Sequence, residues 1–562
     1  MPSNAKVDNS LSPVAAASNQ SPISSMDLAS ETSSSSYRIV AGANLASANP
    51  VAVTSGSSAD VTVDGHVSYA NPQANSSNSV ASTISVGNVV RTGTGSITIA
   101  ASGDFELLDT TAPGAVYTAG SAVATPSDFT SPGMSSSYVS NPNGLVSTPT
   151  WAEGGGSVTV AVGGDIVGIE TTSLDGTASW ASWYYHLIKS NGNSTAQFTG
   201  TNSNNVAARQ TAAWINYATY ADGIGALGGG NVTLTAGGSI KDVIVSLPQT
   251  IVVSGGTAAV PTATEHTYGG GNLKVEAGGD LVGGAVLVGA GTGTIRIGGA
   301  VTADSAGKTL NLAVQDGVIS LMAGGAITLG AITDPAMLRN DSLLAAQAYT
   351  PGDALPGGVM GIGLGPFLGA PFTSYSAGSS VSLTSVSGDV VIGASSSDNL
   401  LLPATLAIDA VSGSIRVNTS LALIPSATGT LTLLAGGSIS TPLYSAGTGA
   451  FGIAMLDGTS ASYVDPLGTP APAVLSSAVH AGDDVPVVIY AGQDISGSFT
   501  LIKPAKVEAG RDIVNMSFIG RNNSASDIAS IVAGRDIRAI SAITYGPGDF
   551  PVEAGRNLGP LY

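Results

Sequence analysis

Short runs in which apolar and polar side chains alternate recur along the chain, as in GSITIAASGDF, GSVTVAVGGDI, NVTLTAGGSI, NLKVEAGGDL, GVISLMAGGAI and GTLTLLAGGSI. Alternation with period two puts Val, Ile and Leu on one face of a strand and Thr, Ser, Lys or Glu on the other. Each run closes on a Gly-Gly, Ser-Gly or Gly-Arg type of step, where the backbone turns in little space. The unit reads strand, tight corner, strand.

The corner is itself a repeated word. Its copies are AGANL at Ala41, ASGDF at Ala101, VGGDI at Val162, AGGSI at Ala236, AGGDL at Ala277, AGGAI at Ala323, VSGDV at Val386, AGGSI at Ala435, AGQDI at Ala491, AGRDI at Ala509 and Ala533, and AGRNL at Ala554. In the last four copies the alanines lie 18, 24 and 21 residues apart, a unit too short to bury its own core. Stacking such units in register pairs each strand with its counterpart one coil away, about 4.8 Å distant, and lines up equivalent apolar residues into internal ladders. The predicted fold is all-β, a parallel β-helix (solenoid) with long loop insertions, of roughly 15 to 20 coils and on the order of 70–100 Å long. Val532, in the strand before the second AGRDI, is expected to face this interior, so that Val532→Asp would set an unpaired charge in a ladder.

The pattern lapses in four places. Residues 1–36 are rich in Ser, Ala, Asn and Pro without periodicity and read as a disordered or ragged segment. Coils with loops occupy 37–168, followed over 169–228 by an aromatic-rich insertion carrying SWASWYYHLIKS and AARQTAAWINYATYADG, the second with the apolar spacing of a short helix. Coils resume over 229–333, 377–450 and 487–562, separated by Pro- and Gly-rich loops at 334–376 and 451–486.

Composition narrows the partners. Of 562 residues only 10% are charged and 5% aromatic, so the apolar content is mostly Ala, Val, Ile and Leu, which suits a narrow β core. A net charge of −19, from 37 acidic against 18 basic residues, repels phosphate backbones and argues against a nucleic-acid partner. Cysteine is absent, which removes disulfides, thiolate nucleophiles and thiolate zinc sites together. The first residues contain one Lys and no continuous apolar run, and the most apolar segment, Gly357 to Pro371, is broken by Gly and Pro; neither an export signal nor a transmembrane segment is legible.

Candidate chemistry is sparse. Asp165, Asp280, Asp494, Asp512 and Asp536 recur just after the corner glycines, where an aspartate accepts backbone N–H groups; they read as a structural ladder rather than the acid pair of a glycosidase. Arg511 and Arg535 beside Asp512 and Asp536 suggest surface charge ladders, each pair worth little. His66, His186, His266 and His480 are scattered, without metal-ligand spacing, and read as loop residues. The glycines of GAGTGTIRIGG run into another β run, unlike a dinucleotide loop. No cofactor, metal or catalytic constellation emerges, and the chain reads as a non-enzyme. One cluster invites a partner: Trp180, Trp183, Tyr184, Tyr185, Trp214, Tyr217 and Tyr220, whose rings suit a sugar or protein surface, or else fill a small core of the insertion's own.

The strings GIGALGGGNVTLTAGGSI, RTGTGSITIAASGDFEL and VEAGRDIVNMSFIGRNNSASDIASIVAGRDI resemble the filamentous haemagglutinin-type exoproteins of Gram-negative bacteria. The resemblance implies a right-handed β-helical shaft, passage through an outer-membrane two-partner transporter, a secreted or outer-cell-surface location, and attachment to host-cell or bacterial-surface glycans or proteins. On that resemblance the chain is expected to be an internal or C-terminal fragment. NPNGL, Asn141 to Leu145, is similar to a word of the family's secretion domain but reads as an Asn-Pro plus Asn-Gly turn. Three functions stay open: a non-enzymatic adhesin shaft, a β-helical carbohydrate-active enzyme, and a passive spacer.

Overall fold

The alternating runs become strands, and the strands stack. A computed structural model describes residues 33–70, 83–126, 150–169, 180, 183–186, 211–215, 217, 220, 222–254, 264–335, 374–393, 400–445, 450–459, 462–464, 479–480 and 482–562. Regular structure among them is nearly all strand. The chain divides into two compact units, one of Met1–Ile297, Asp304–Gln315 and Pro335–Ala348, the other of Gly298–Ala303, Asp316–Asp334 and Tyr349–Tyr562.

In the first unit the parallel ladder runs through Tyr37–Ala41, Ile97–Ala101, Val158–Val162, Val232–Ala236, Leu273–Ala277 and Gly291–Ile297. In the second it runs through Gly317–Ala323, Ser380–Ser385, Thr405–Ala410, Leu431–Ala435, Val487–Ala491, Ala505–Ala509, Ser530–Ala533 and Val552–Ala554. These rungs are fewer than the expected coils, because many coils are long. Equivalent residues of successive coils stand 61, 74 and 41 positions apart in the first unit, and 56 apart at one step of the second.

A coil has three sides, one more than the sequence pattern announces. After Leu273–Ala277 and its corner come Leu281–Val282 and then Ala285–Val288, parted by Gly283 and Gly284 at φ 58° and 75°. Such backbone angles favour glycine, and this second bend leaves no alternation to read. In the last coils the second and third sides fuse into Ile513–Arg521 and Asp536–Tyr545.

The core is the inward column of each strand. In the first unit Ile99, Val160, Leu234, Val275 and Ile295 lie in register, and in the second Leu321, Leu383, Ile408, Leu433, Ile489, Val507 and Ile531 do so. All are buried, each such side chain contributing about 1.5–3 kcal/mol by leaving water. The corner glycine has a different role. A Cβ on Gly237 would stand 2.2 Å from the Gly163 carbonyl oxygen, and one on Gly510 2.5 Å from that of Gly492, so the preceding coil fills the place of the side chain.

Several expectations change. Val532 faces outward between Glu508 and Glu553, while Ile531 is the buried residue. Aligning IVAGRDI with VEAGRDI shows why, since Val532 stands where the earlier copy has Glu508. The helical expectation for the second aromatic segment fails: Thr211–Ile215 is a strand held by antiparallel partners. Within 169–228, Gly223–Ala226 belongs to the stack, pairing with Ala115–Thr118. Within 451–486, Ile453–Met455 is a buried strand of the second unit, paired with Leu421–Leu423. Residues 1–32 and 336–373, and NPNGL, lie outside the described residues.

Truncating Ile531 to Ala is expected to cost about 2–5 kcal/mol in denaturant unfolding, and Val532→Ala under about 1 kcal/mol. Equal losses would reverse the inward assignment.

Candidate functional site

The aromatic cluster sits on a small antiparallel sheet beside the first unit's stack. Its strands, in order, are Tyr184–His186, Thr211–Ile215, Gln249–Ser254 and Thr264–Gly269. Trp180, Trp183, Tyr184, Trp214, Tyr217 and Tyr220 are each at most 3% exposed. Tyr185 lies on the first strand opposite Trp214, and its side chain is outside the described residues. The rings meet edge to face, the arrangement their quadrupoles favour: Trp183 with Tyr220 at 5.0 Å, and Tyr220 with Tyr117 at 4.9 Å.

Polar ends tie the cluster to the coils. Buried Gln315 is the clasp: its Oε1 accepts the Gln249 N–H at 2.8 Å, and its Nε2 donates to the Tyr184 hydroxyl at 2.8 Å and to the Gln249 carbonyl at 3.0 Å. The Tyr184 hydroxyl donates to that same carbonyl at 2.8 Å. Tyr217 donates to the Ala119 carbonyl, and Trp151 Nε1 to that of Ala213, both at 3.3 Å. Burial pushes the Tyr217 and Tyr220 phenols above their ordinary range, so both stay protonated. As packed, the six described rings offer no open face to a sugar. Sequence reasoning missed Tyr117 and Trp151 here; Trp151 sits on a short strand, Trp151–Glu153, paired with Ser121–Val123.

The corner acids form the second constellation. Asp104 Oδ1 accepts the Asp165 N–H at 2.6 Å, Asp165 Oδ1 the Ser239 N–H at 2.7 Å, and Ser239 Oγ the Asp280 N–H at 3.0 Å. In the second unit the relay runs from Asp389 through Ser414, Ser438, Asp494, Asp512 and Asp536 to Asn557, each side-chain oxygen accepting the next coil's N–H. The arginines reach back one coil. Arg511 clamps Asp494, Arg535 clamps Asp512 at 3.0 and 2.6 Å, and Arg556 clamps Asp536 at 2.7 Å on both oxygens. Asp512 and Asp536 are buried, so these are not the wholly exposed pairs that the sequence suggests. The bidentate guanidinium holds the Asp494, Asp512 and Asp536 carboxyls below the usual carboxylate range.

One acid behaves oppositely. Asp242, at φ 52° and half-buried, is pushed up to about 6, first by burial and then by the negative charge of Asp304. Its Oδ1 has no hydrogen-bond partner among the described residues. A missing Cβ at Gly283 leaves the space that Asp242 Oδ1 and Asp304 Cβ approach. Of the histidines, His66, His186 and His266 lie on strands rather than loops, and only His480 occupies a turn. His66 Nδ1 lies 2.6 Å from Asp109 Oδ2. Among the described residues no group of three His, Cys, Asp or Glu side chains is placed to hold a metal ion, and no helix is long and apolar enough to cross a membrane.

Parallel strands stacked coil on coil, with side-chain ladders at the corners, define the class: a parallel β-helix. Comparison with protein-family models, curated proteins and solved structures returned no match.

Buried tryptophans predict blue-shifted native fluorescence that iodide does not quench until the protein unfolds; quenching in the native state would mean that these rings reach solvent. The titrations run in opposite directions. Lowered carboxyls at Asp494, Asp512 and Asp536 contribute stability that is present above the ordinary value of 3.8 and is lost as pH falls through their lower folded values. The raised carboxyl of Asp242 contributes stability that is present in acid and lost as pH rises through about 6. Asp242→Asn, which tolerates the positive φ, is therefore expected to raise the melting temperature at neutral pH, and Asp512→Asn to lower it. Melting curves that shift alike with pH in both variants and the parent would refute this division.

Proposed function

We propose that the chain is a non-enzymatic, secreted or cell-surface adhesin-like shaft that attaches to glycans or proteins of host cells or other bacteria, with export by an outer-membrane two-partner transporter. The observation that carries the reading is the use of the corner carboxylates. A β-helical hydrolase needs acids free to exchange protons with substrate, whereas Asp165, Asp494, Asp512 and Asp536 are bound to the next coil's N–H and to a Lys or Arg. The acids serve the stack. The outer face is regular and hydroxyl-bearing, with Thr98, Thr159 and Thr233 in register on successive coils, a surface able to hydrogen-bond repeating polar groups. The buried aromatic cluster lends this reading no contact surface.

A carbohydrate-active enzyme is the second reading, and Asp242 is what favours it. A carboxyl raised to about 6 near a second acid, Asp304, is the pairing that general acid catalysis requires.

Binding of the labelled 562-residue chain to cells and a glycan panel tests both. Saturable binding that persists in Asp242→Asn, without release of reducing ends, is the expected outcome. Polysaccharide cleavage that Asp242→Asn abolishes would replace the adhesin with the enzyme. No binding and no cleavage would leave a spacer.

A further inference from the structure

Lys503 is a fully buried lysine. It lies in the turn between strands Ile495–Thr500 and Ala505–Ala509, and its side chain is 0% exposed. Its Nζ donates to the Gly429 carbonyl at 3.2 Å and lies 2.5 Å from Asp483 Oδ2, inside the about 2.7–2.9 Å usual for charge-assisted bonds. The Asp483 carboxyl is held at both oxygens. His480 Nδ1 sits 2.9 Å from Oδ2, and the Val485 N–H donates to Oδ1 at 3.0 Å. His480 is 1% exposed, and its carbonyl accepts the Asp483 N–H at 3.1 Å and the Asn523 amide at 3.1 Å. None of these residues belongs to the corner ladder.

We propose that Lys503 and Asp483 condense into an intramolecular amide, so that this cluster is a self-modification site. The parts match the chemistry of acyl transfer to an amine. Burial disfavours the Asp483 carboxylate, but the bonds from Lys503, Val485 and His480 together hold its carboxyl below the ordinary range, so the reactive form is the minor one in which Nζ has passed a proton to the carboxylate and a neutral amine faces a neutral acid. The Nζ lone pair attacks Asp483 Cγ, forming the C–N bond while the C=O electrons move to Oδ1, where the Val485 N–H receives the charge. His480 Nδ1, touching Oδ2, relays a proton from Nζ to that oxygen. Collapse restores C=O at Oδ1 and breaks Cγ–Oδ2. Oδ2 leaves as water with the two protons that the ammonium has lost, and no oxidant, reductant or further reactant is consumed.

The amide would join positions 20 residues apart, tying the segment before Val487–Ala491 to the turn that leads into Ala505–Ala509. It would close a covalent loop around one coil. A stack whose coils touch only their neighbours otherwise loosens one coil at a time.

Intact-mass measurement of the denatured 562-residue chain decides the matter. The expected mass is that of the sequence less one water, with a branched proteolytic peptide joining Lys503 to Asp483. Lys503→Arg and Asp483→Ala are expected at full sequence mass, which separates this loss from dehydration elsewhere in the chain. His480→Gln, checked for folding by circular dichroism, is expected to accumulate the lighter species slowly. A parent chain at full sequence mass, whose Lys503 reacts with an amine-acylating reagent once unfolded, would overturn the proposal, and this holds even if no variant folds.

Discussion

The stacking of the coils depends on a missing atom. At most corners the carbonyl oxygen of one coil occupies the place where the next coil's Cβ would stand, at 2.2 Å over Gly237 and 2.4 Å over Gly534. A side chain on either glycine would meet that oxygen well inside contact distance, although Ser102, Val386 and Val411 hold the same place on other coils with the backbone bond kept at 3.2, 3.0 and 2.9 Å. Close approach at this point holds the strands before and after the corner in the same register, which in turn brings each corner aspartate within reach of the next coil's N–H. The apolar columns, the acid relay and the arginine clamps all follow from that spacing.

This explains what was legible. A glycine in most coils, after an inward alanine and close before an acceptor residue, leaves a word in the sequence, and the word marks most of the coils. Alternation upstream of it gives the inward column, as at Ile99 and Val160. Legibility ends where the physical requirement stops being periodic. The second and third sides of a coil are two to five residues long in most places, as at Leu281–Val282, too short to show a period. Val532 shows another limit: in a run of consecutive apolar residues, alternation does not say which one faces in, and only comparison with the copy carrying Glu508 does.

The candidate contacts were the least legible part. Tryptophans gathered in one stretch look the same in sequence whether they bind a sugar or fill a gap. What separates the cases is how Gln315 and Tyr184 lock the small sheet onto the coils, and those residues stand 131 positions apart. The Lys503 cluster was hidden for the same reason, since neither a lone lysine in a turn nor a lone histidine announces the other. The acid ladder, by contrast, was visible because every member obeys the same local rule.

The relay of corner oxygens has a direction. Asp494 accepts from Asp512, Asp512 from Asp536, and Asp536 from Asn557, always toward the later coil. A stack built as far as one of these coils therefore carries, on its growing side, an anionic acceptor already fixed in place for the N–H and the arginine of the coil still to come. Assembly from the N-terminal side would act as a ratchet: each finished coil is the template for its successor.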